Sequence, residues 1–256
     1  MLKAIIFDFN GVILDDEPLH FKAMQEAVAD LGICLTEDAY WDTYLPLDDN
    51  ACIQAICRDH SVHLSEERRA RLLDLKIASY RRQLRDRFPL FPGAAHCIRS
   101  AAQKYPLAIA SGARREEIAT TLKATMLEEY FLVVVAAEDF RLGKPHPESF
   151  LMALEKLNAA GDGTVPPVRP EQCLVVEDSV GGVAGARAAG MRCLAVSNSY
   201  PPAKLQGADR VLRSLEEARL EDLEALFEED DGPPAARGPR PGQRRRKVRD
   251  SRRPCR

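Results

Sequence analysis

Six short apolar runs alternate with helical patterns along this chain and restrict it to an α/β fold. They fall at residues 4–7, 107–110, 131–135, 173–176, 192–196 and 210–212. Apolar runs of this length without polar alternation read as strands buried on both faces, the pattern of a parallel sheet. The expected core is therefore a doubly wound, parallel, Rossmann-like sheet. In such sheets ligands bind at the carboxyl ends of the strands. The first run, Ala4-Ile5-Ile6-Phe7, ends at such a position in Asp8, followed by Phe9-Asn10-Gly11-Val12. A carboxylate there can act as nucleophile or metal ligand. Gly11 permits a tight turn and close backbone approach to an anion. On this stretch alone, an Asp capping a turn before Gly reads equally well.

The strand rhythm is interrupted once. From residue 16 to 88 every pattern is helical. Leu19, Phe21, Met24, Ala27, Val28 and Leu31 mark a helix ending at Gly32, and Thr36-Glu37-Asp38 opens a second carrying Tyr40, Trp41 and Tyr44, broken by Pro46. Asp48 caps a third with Ile53, Ile56 and Cys57, and Ser65 begins a long fourth to about Arg87. An inserted all-helical cap domain is expected over residues 15–88. Residues 1–14 and 89–227 then make the α/β core, with a loop at 160–170 and a final helix near 214–227. Residues 228–256 turn to Pro, Gly and Arg and offer little to bury, so a disordered tail is expected there.

Charge follows the same division. Residues 232–256 carry nine Arg and one Lys against one Asp, a net +9, which leaves −12 on the rest for the total of −3. No aromatic residue interleaves the arginines, so nucleic acid is not an expected partner. The seven cysteines form no C-x-x-C pair and their number is odd, which favours free thiols in a reducing compartment. No apolar run approaches the roughly 20 residues of a membrane span. The first strand begins almost at Met1, leaving no room for a signal peptide. A cytoplasmic location and a monomer are the default expectations.

Polar groups follow four separate strands: Asp8, Ser111 with Gly112, Lys144, and the pair Glu177-Asp178. A doubly wound sheet brings them to one edge. A hydroxyl beside free backbone N–H groups, a lysine and an acidic pair are the set that holds a phosphoryl group beside a divalent cation.

With these positions the chain resembles the haloacid dehalogenase-like hydrolase superfamily, in the subgroup of β-phosphoglucomutase and small-metabolite phosphatases. The resemblance spans residues 1–226. It rests on D-F-N-G-V at 8–12, A-S-G at 110–112, G-K-P-H-P at 143–147 and V-V-E-D-S at 175–179, with G-A-R-A-A-G-M at 185–191 and F-P-G at 91–93. It implies that Asp8 is a nucleophile forming an aspartyl-phosphate, with Mg²⁺ held by Asp8, the Asn10 carbonyl, Asp178 and Glu177. Ser111, the Gly112 backbone and Lys144 would cradle phosphate. The cap would select a small phosphorylated metabolite, with His20 and Lys76 at positions the mutase-like members use. From the residues alone, His20 equally packs on its helix and Lys76 equally lies on a solvated face.

One position departs from the family pattern. The motif usually carries a second Asp where this chain has Asn10. That carboxyl protonates the leaving group and then activates water, and such catalysis contributes about 10²–10⁴-fold. An amide exchanges no proton at neutral pH. Hydrolysis of substrates with good leaving groups, replacement by another group such as His20, and a phosphate-ligand-binding protein with slow turnover all fit the sequence. So does deamidation of Asn10-Gly11. A Mg²⁺-dependent phosphatase is the leading expectation. A phosphosugar mutase needs reversible proton exchange and fits Asn10 less well, and Glu177-Asp178 argues against a metal-free dehalogenase.

Overall fold

The computed structural model describes residues 1–45, 47–84, 88–161 and 166–228. Strands β1 (Ala4–Phe7), β2 (Leu107–Ala110), β3 (Val133–Val135), β4 (Cys173–Glu177), β5 (Arg192–Val196) and β6 (Arg210–Leu212) form one sheet in the order β3-β2-β1-β4-β5-β6. Every pairing is parallel. The first strand thus lies in the middle of the sheet, between β2 and β4, and the chain winds outward from it in both directions. That order places the ends of β1, β2 and β4 side by side.

Helices α1 (Glu17–Ala29), α2 (Glu37–Ala39), α3 (Asp49–Asp59) and α4 (Glu66–Leu84) precede β2. The remaining helices are α5 (Ala94–Ala102), α6 (Arg115–Ala124), α7 (Glu148–Ala160), α8 (Val180–Ala188) and α9 (Leu220–Ala225). Side chains alternate across a strand. Ile5 and Phe7 accordingly join Ile98, Ile118 and Leu223 on one face, while Ala4 and Ile6 join Phe150, Leu154 and Val183 on the other. Burial on both faces explains why β1 is apolar throughout.

Helices α1–α4 form the helical insertion between β1 and β2, with a core of their own around Met24, Val28, Ile53, Ile56 and Leu72. The chain leaves and re-enters the sheet domain at adjacent points. Leu14 and Leu90 make an antiparallel bridge, and Asp15 N donates to Pro89 O at 2.8 Å.

Several expected elements differ in detail. The helix expected through Tyr44 is a turn of α-helix followed by a π-helix, Tyr40–Tyr44, with Leu45 N donating to Tyr40 O. Both tyrosines are buried, and their hydroxyls reach Glu17 at 2.6 Å and Asp59 at 3.0 Å. Strand β3 starts at Val133, because the preceding Glu128–Tyr130 is a 3₁₀ turn that delivers Phe131 edge-on to Phe7. The final helix is split: Ser214 caps a 3₁₀ turn at Leu215–Glu217, Ala218 is extended, and α9 follows. The expected breaker Pro46, the end of the long helix at residues 85–87, part of the 160–170 loop and the tail from 229 lie outside the described residues.

Candidate active site

Asp8 follows β1 directly, and its N–H donates to Val176 O at 2.9 Å. That bond locks the end of β1 to β4, and it sets Asp8 beside Glu177 and Asp178. One carboxylate oxygen from each of the three lies within 4.8 Å of the others, and all three residues are buried. Lys144, on the loop after β3, reaches into the group. Its Nζ stands 2.6 Å from both Asp8 Oδ1 and Glu177 Oε1. The Asp8 contact is a close ion pair, and among the described residues no well-aligned hydrogen-bond donor reaches the buried Asp8 Oδ1.

Glu177 is the most firmly held member. Its Oε2 accepts from Asp178 N and Ser179 N at 2.8 Å each and from Ser179 Oγ at 3.0 Å. Ser179 also caps α8 through Gly182 N. Asp178 accepts from Ser199 Oγ. Gly11 has φ +77°, and a side chain there would overlap the Asp178 carboxylate. Asn198 Nδ2 donates to Gly11 O at 2.7 Å and fixes that turn.

Three buried carboxylates share one ammonium. Burial pushes the Asp8 carboxyl up to about 6, Lys144 opposes the shift, and Glu177 adds to it. Burial also drives Asp178 well above the usual carboxylate range, with Glu177 and Asp8 contributing. Burial would lower Lys144, but Asp8 and Glu177 outweigh it and hold the ammonium charged. The site is short of positive charge. An oxygen-preferring divalent cation meets that deficit, and the undirected Asp8 oxygen is a ready ligand. The donor set fits Mg²⁺.

Beyond the carboxylates a cavity of about 580 Å³ opens between the sheet edge and the helical insertion. Asp8, Asn10, Ser111, Gly112 and Lys144 line its floor, and His20, Lys76 and Asp49 line its wall. Ser111 Oγ accepts from Ala113 N at 3.2 Å. Among the described residues no side chain crowds Gly112, so its backbone is accessible to a ligand.

Lys76 is not on a solvated face: it is 2 % exposed. Its Nζ lies 2.6 Å from His20 Nδ1 and 2.8 Å from Asp49 Oδ2. His20 Nε2 lies 3.2 Å from Asp16 Oδ2, and the same oxygen accepts from Asn10 Nδ2 at 2.7 Å and Tyr80 OH at 2.6 Å. A continuous polar chain therefore runs Asn10–Asp16–His20–Lys76–Asp49. The sequence reading missed Asp16, Asp49, Tyr80, Gly182 and Ser199 as parts of the site. Asp16 and Asp49 stand at the starts of α1 and α3, where acids are ordinary, and only their buried partners reveal them.

A family model described as haloacid dehalogenase-like hydrolase matches residues 2–190. The chain belongs to that family. It is 30% identical over 192 residues to the phosphorylated carbohydrates phosphatase of Thermotoga maritima, covering 74% of this chain and 82% of the relative. It is 30% identical over 196 residues to the fructose-1-phosphate phosphatase YqaB of Escherichia coli, covering 73% and 93%. Among solved structures, an Asp-to-Asn mutant of CbbY from Rhodobacter sphaeroides, in complex with xylulose-1,5-bisphosphate, matches with TM-score 0.70 and 26% identity over 85% of this chain and 96% of that one. Among the described residues no helix is long and apolar enough to cross a membrane.

Proposed function

We propose that this protein is a Mg²⁺-dependent phosphatase that hydrolyses a small phosphorylated sugar or related metabolite through an aspartyl-phosphate on Asp8. The observation that carries this reading is the Asp8 oxygen: buried, beside Lys144 and two further carboxylates, without a directed donor, at the floor of a cavity large enough for a sugar phosphate. Relatives that act on phosphorylated carbohydrates and on fructose-1-phosphate support the substrate class.

Asp8, Glu177, Asp178 and the Asn10 carbonyl would hold Mg²⁺, which would supply charge neutralisation for the transferring phosphoryl group. Ser111 Oγ, the Gly112 N–H and the Lys144 ammonium hold the phosphoryl oxygens. Asp8 attacks phosphorus and the ester oxygen departs. Water then cleaves the acyl phosphate, returning Asp8 and releasing phosphate. Lys144 begins paired with Asp8, so it stands ready to follow negative charge onto the phosphoryl oxygens. Residues 15–88 act as the cap, and their wall of His20, Lys76 and Asp49 meets the remainder of the substrate. Asn10 weighs against a mutase, which must return a proton to a second sugar hydroxyl.

The test is a Mg²⁺-supplemented panel of sugar phosphates with wild type and Asp8→Asn. Phosphate release on at least one member, lost by a factor of 10³ or more in Asp8→Asn, is expected. Equal rates in the two proteins would refute the reading.

A further inference from the structure

The polar chain at the junction of sheet and insertion is not explained by phosphate binding. Asp16 is 1 % exposed, yet a single oxygen of its carboxylate takes three donors from three parts of the fold: Asn10 after β1, His20 on α1 and Tyr80 on α4. A buried carboxylate is costly unless such donors surround it. Its effect on His20 is directional. With Nε2–H committed to Asp16, the only other ring nitrogen is Nδ1. His20 stacks against Tyr80 with ring centroids 4.3 Å apart, which fixes the plane of the ring. His20 lines the same cavity as Asp8, and its side chain is 25% exposed.

We propose that Asp16 and His20 together perform the proton transfer that Asn10 cannot, with His20 exchanging the proton at Nδ1 and Asp16 positioning the ring. This rests on the phosphatase reading above. In the first step the P–O bond to the leaving group breaks, and the electron pair on its oxygen takes the proton from His20 Nδ1. The neutral ring then presents a lone pair at Nδ1. In the second step that lone pair removes a proton from the water attacking the phosphorus of the acyl phosphate, which restores the imidazolium. Atoms and charge balance over the cycle, and no other reactant is needed.

The Lys76 contact fits the neutral stage. At 2.6 Å the Lys76 ammonium donates to an unprotonated Nδ1 in this structure, so it must turn wholly to Asp49 before Nδ1 carries or accepts the exchanged proton. When Nδ1 is protonated, Lys76 keeps Asp49, whose two oxygens lie 2.7 and 2.8 Å away. The charged and titratable groups facing His20 are Asp16 and Glu17 from its own segment and Lys76 and Tyr80 from α4. Burial and Lys76 lower the basicity of the ring, and Asp16 outweighs them and raises it. Tyr40 holds Glu17 by a separate hydrogen bond. The carboxylate that position 10 lacks thus reappears one hydrogen bond away.

The experiment compares two esters with each variant at saturating Mg²⁺: a sugar phosphate, whose alkoxide must be protonated as it leaves, and p-nitrophenyl phosphate, whose phenolate leaves without help. In His20→Gln and in Asp16→Asn the sugar phosphate kcat/KM, which reads formation of the acyl phosphate, should fall about 10²-fold or more, against less than tenfold for the aryl ester, while kcat falls for both esters because they share the acyl phosphate that His20 helps water to cleave. In Asp16→Asn the imidazole ¹⁵N shifts of His20 should move away from the Nε2–H tautomer while the fold is retained by circular dichroism. The proposal is overturned if kcat/KM falls equally for both esters, if neither variant lowers kcat/KM or kcat, or if His20→Gln is selective and Asp16→Asn is not. Failure of the phosphatase reading looks different: wild type itself releases no phosphate from either ester, or Asp8→Asn is as active as wild type.

Discussion

Gly182→Ala is a single methyl group that the structure forbids. Gly182 sits in the first turn of α8, and a Cβ on it would occupy the space of the Glu177 carboxylate. Glu177 has nowhere to go. It is fully buried, three donors hold Oε2, and Lys144 holds Oε1. Moving it forfeits at least two hydrogen bonds to a charged group, each worth about 1.5–3 kcal/mol. The expected cost is therefore about 3 kcal/mol or more. For a chain of this size that lowers Tm by about 6 °C or more. Gly143→Ala is the control, since a Cβ there meets nothing within 4 Å. Its cost should stay below about 1 kcal/mol, the range of an ordinary surface change. Thermal and urea unfolding of the two variants, read by circular dichroism, make the comparison. If Gly182→Ala unfolds within about 1 kcal/mol of wild type, Glu177 is not anchored as described, and the ordering of the proposed metal ligands fails with it.

Other predictions follow from the same geometry. Mg²⁺ at 100 times its Kd should stabilise the protein by about 2.7 kcal/mol, a rise of about 5–11 °C in Tm. Scanning fluorimetry should find that rise absent in Asp178→Asn. Tyr80→Phe removes a donor from buried Asp16 and should cost about 1–3 kcal/mol in urea unfolding. Asn10→Asp replaces the donor 2.7 Å from Asp16 Oδ2 with a second carboxylate. A proton shared by that carboxyl pair holds it together, so the variant should be near wild-type stability at low pH and lose about 1–3 kcal/mol as pH rises and the proton leaves. Asn10→Asp with Asp16→Asn should recover the loss, as unfolding at two pH values will tell. The Asn10 amide is engaged by Asp16, so peptide mass mapping of fresh protein should find Asn and not Asp at position 10.

The sheet and its active edge were legible because apolar strands and the polar residues ending them are local signals. Asp8, Ser111 and Glu177-Asp178 lie at strand ends, Lys144 lies on the loop after β3, and the sheet order gathers them. The cap was harder. Lys76 looks like one more charge on a charged helix until His20 and Asp49, 56 and 27 residues away, are seen to enclose it. Asp16 looks like one more acid at a helix start until three donors converge on it. Glycines divide similarly: Gly11 announces itself by following Asn in a turn, whereas Gly182 matters only because a carboxylate five residues earlier folds back over the helix start. Helix winding also escaped the sequence. The π-helix at Tyr40–Tyr44 coincides with hydroxyl contacts to Glu17 and Asp59, which are distant in sequence.

The claim on which the rest depends is that Asp8 carries the phosphoryl group. Hydroxylamine added during turnover converts an acyl phosphate on aspartate to a hydroxamate, which peptide mass spectrometry locates. With Mg²⁺ and a hydrolysable phosphate ester, the modification should appear on Asp8 and should be absent without substrate and in Asp8→Asn. Turnover with Asp8 unmodified, or with the modification at another residue, would contradict the account.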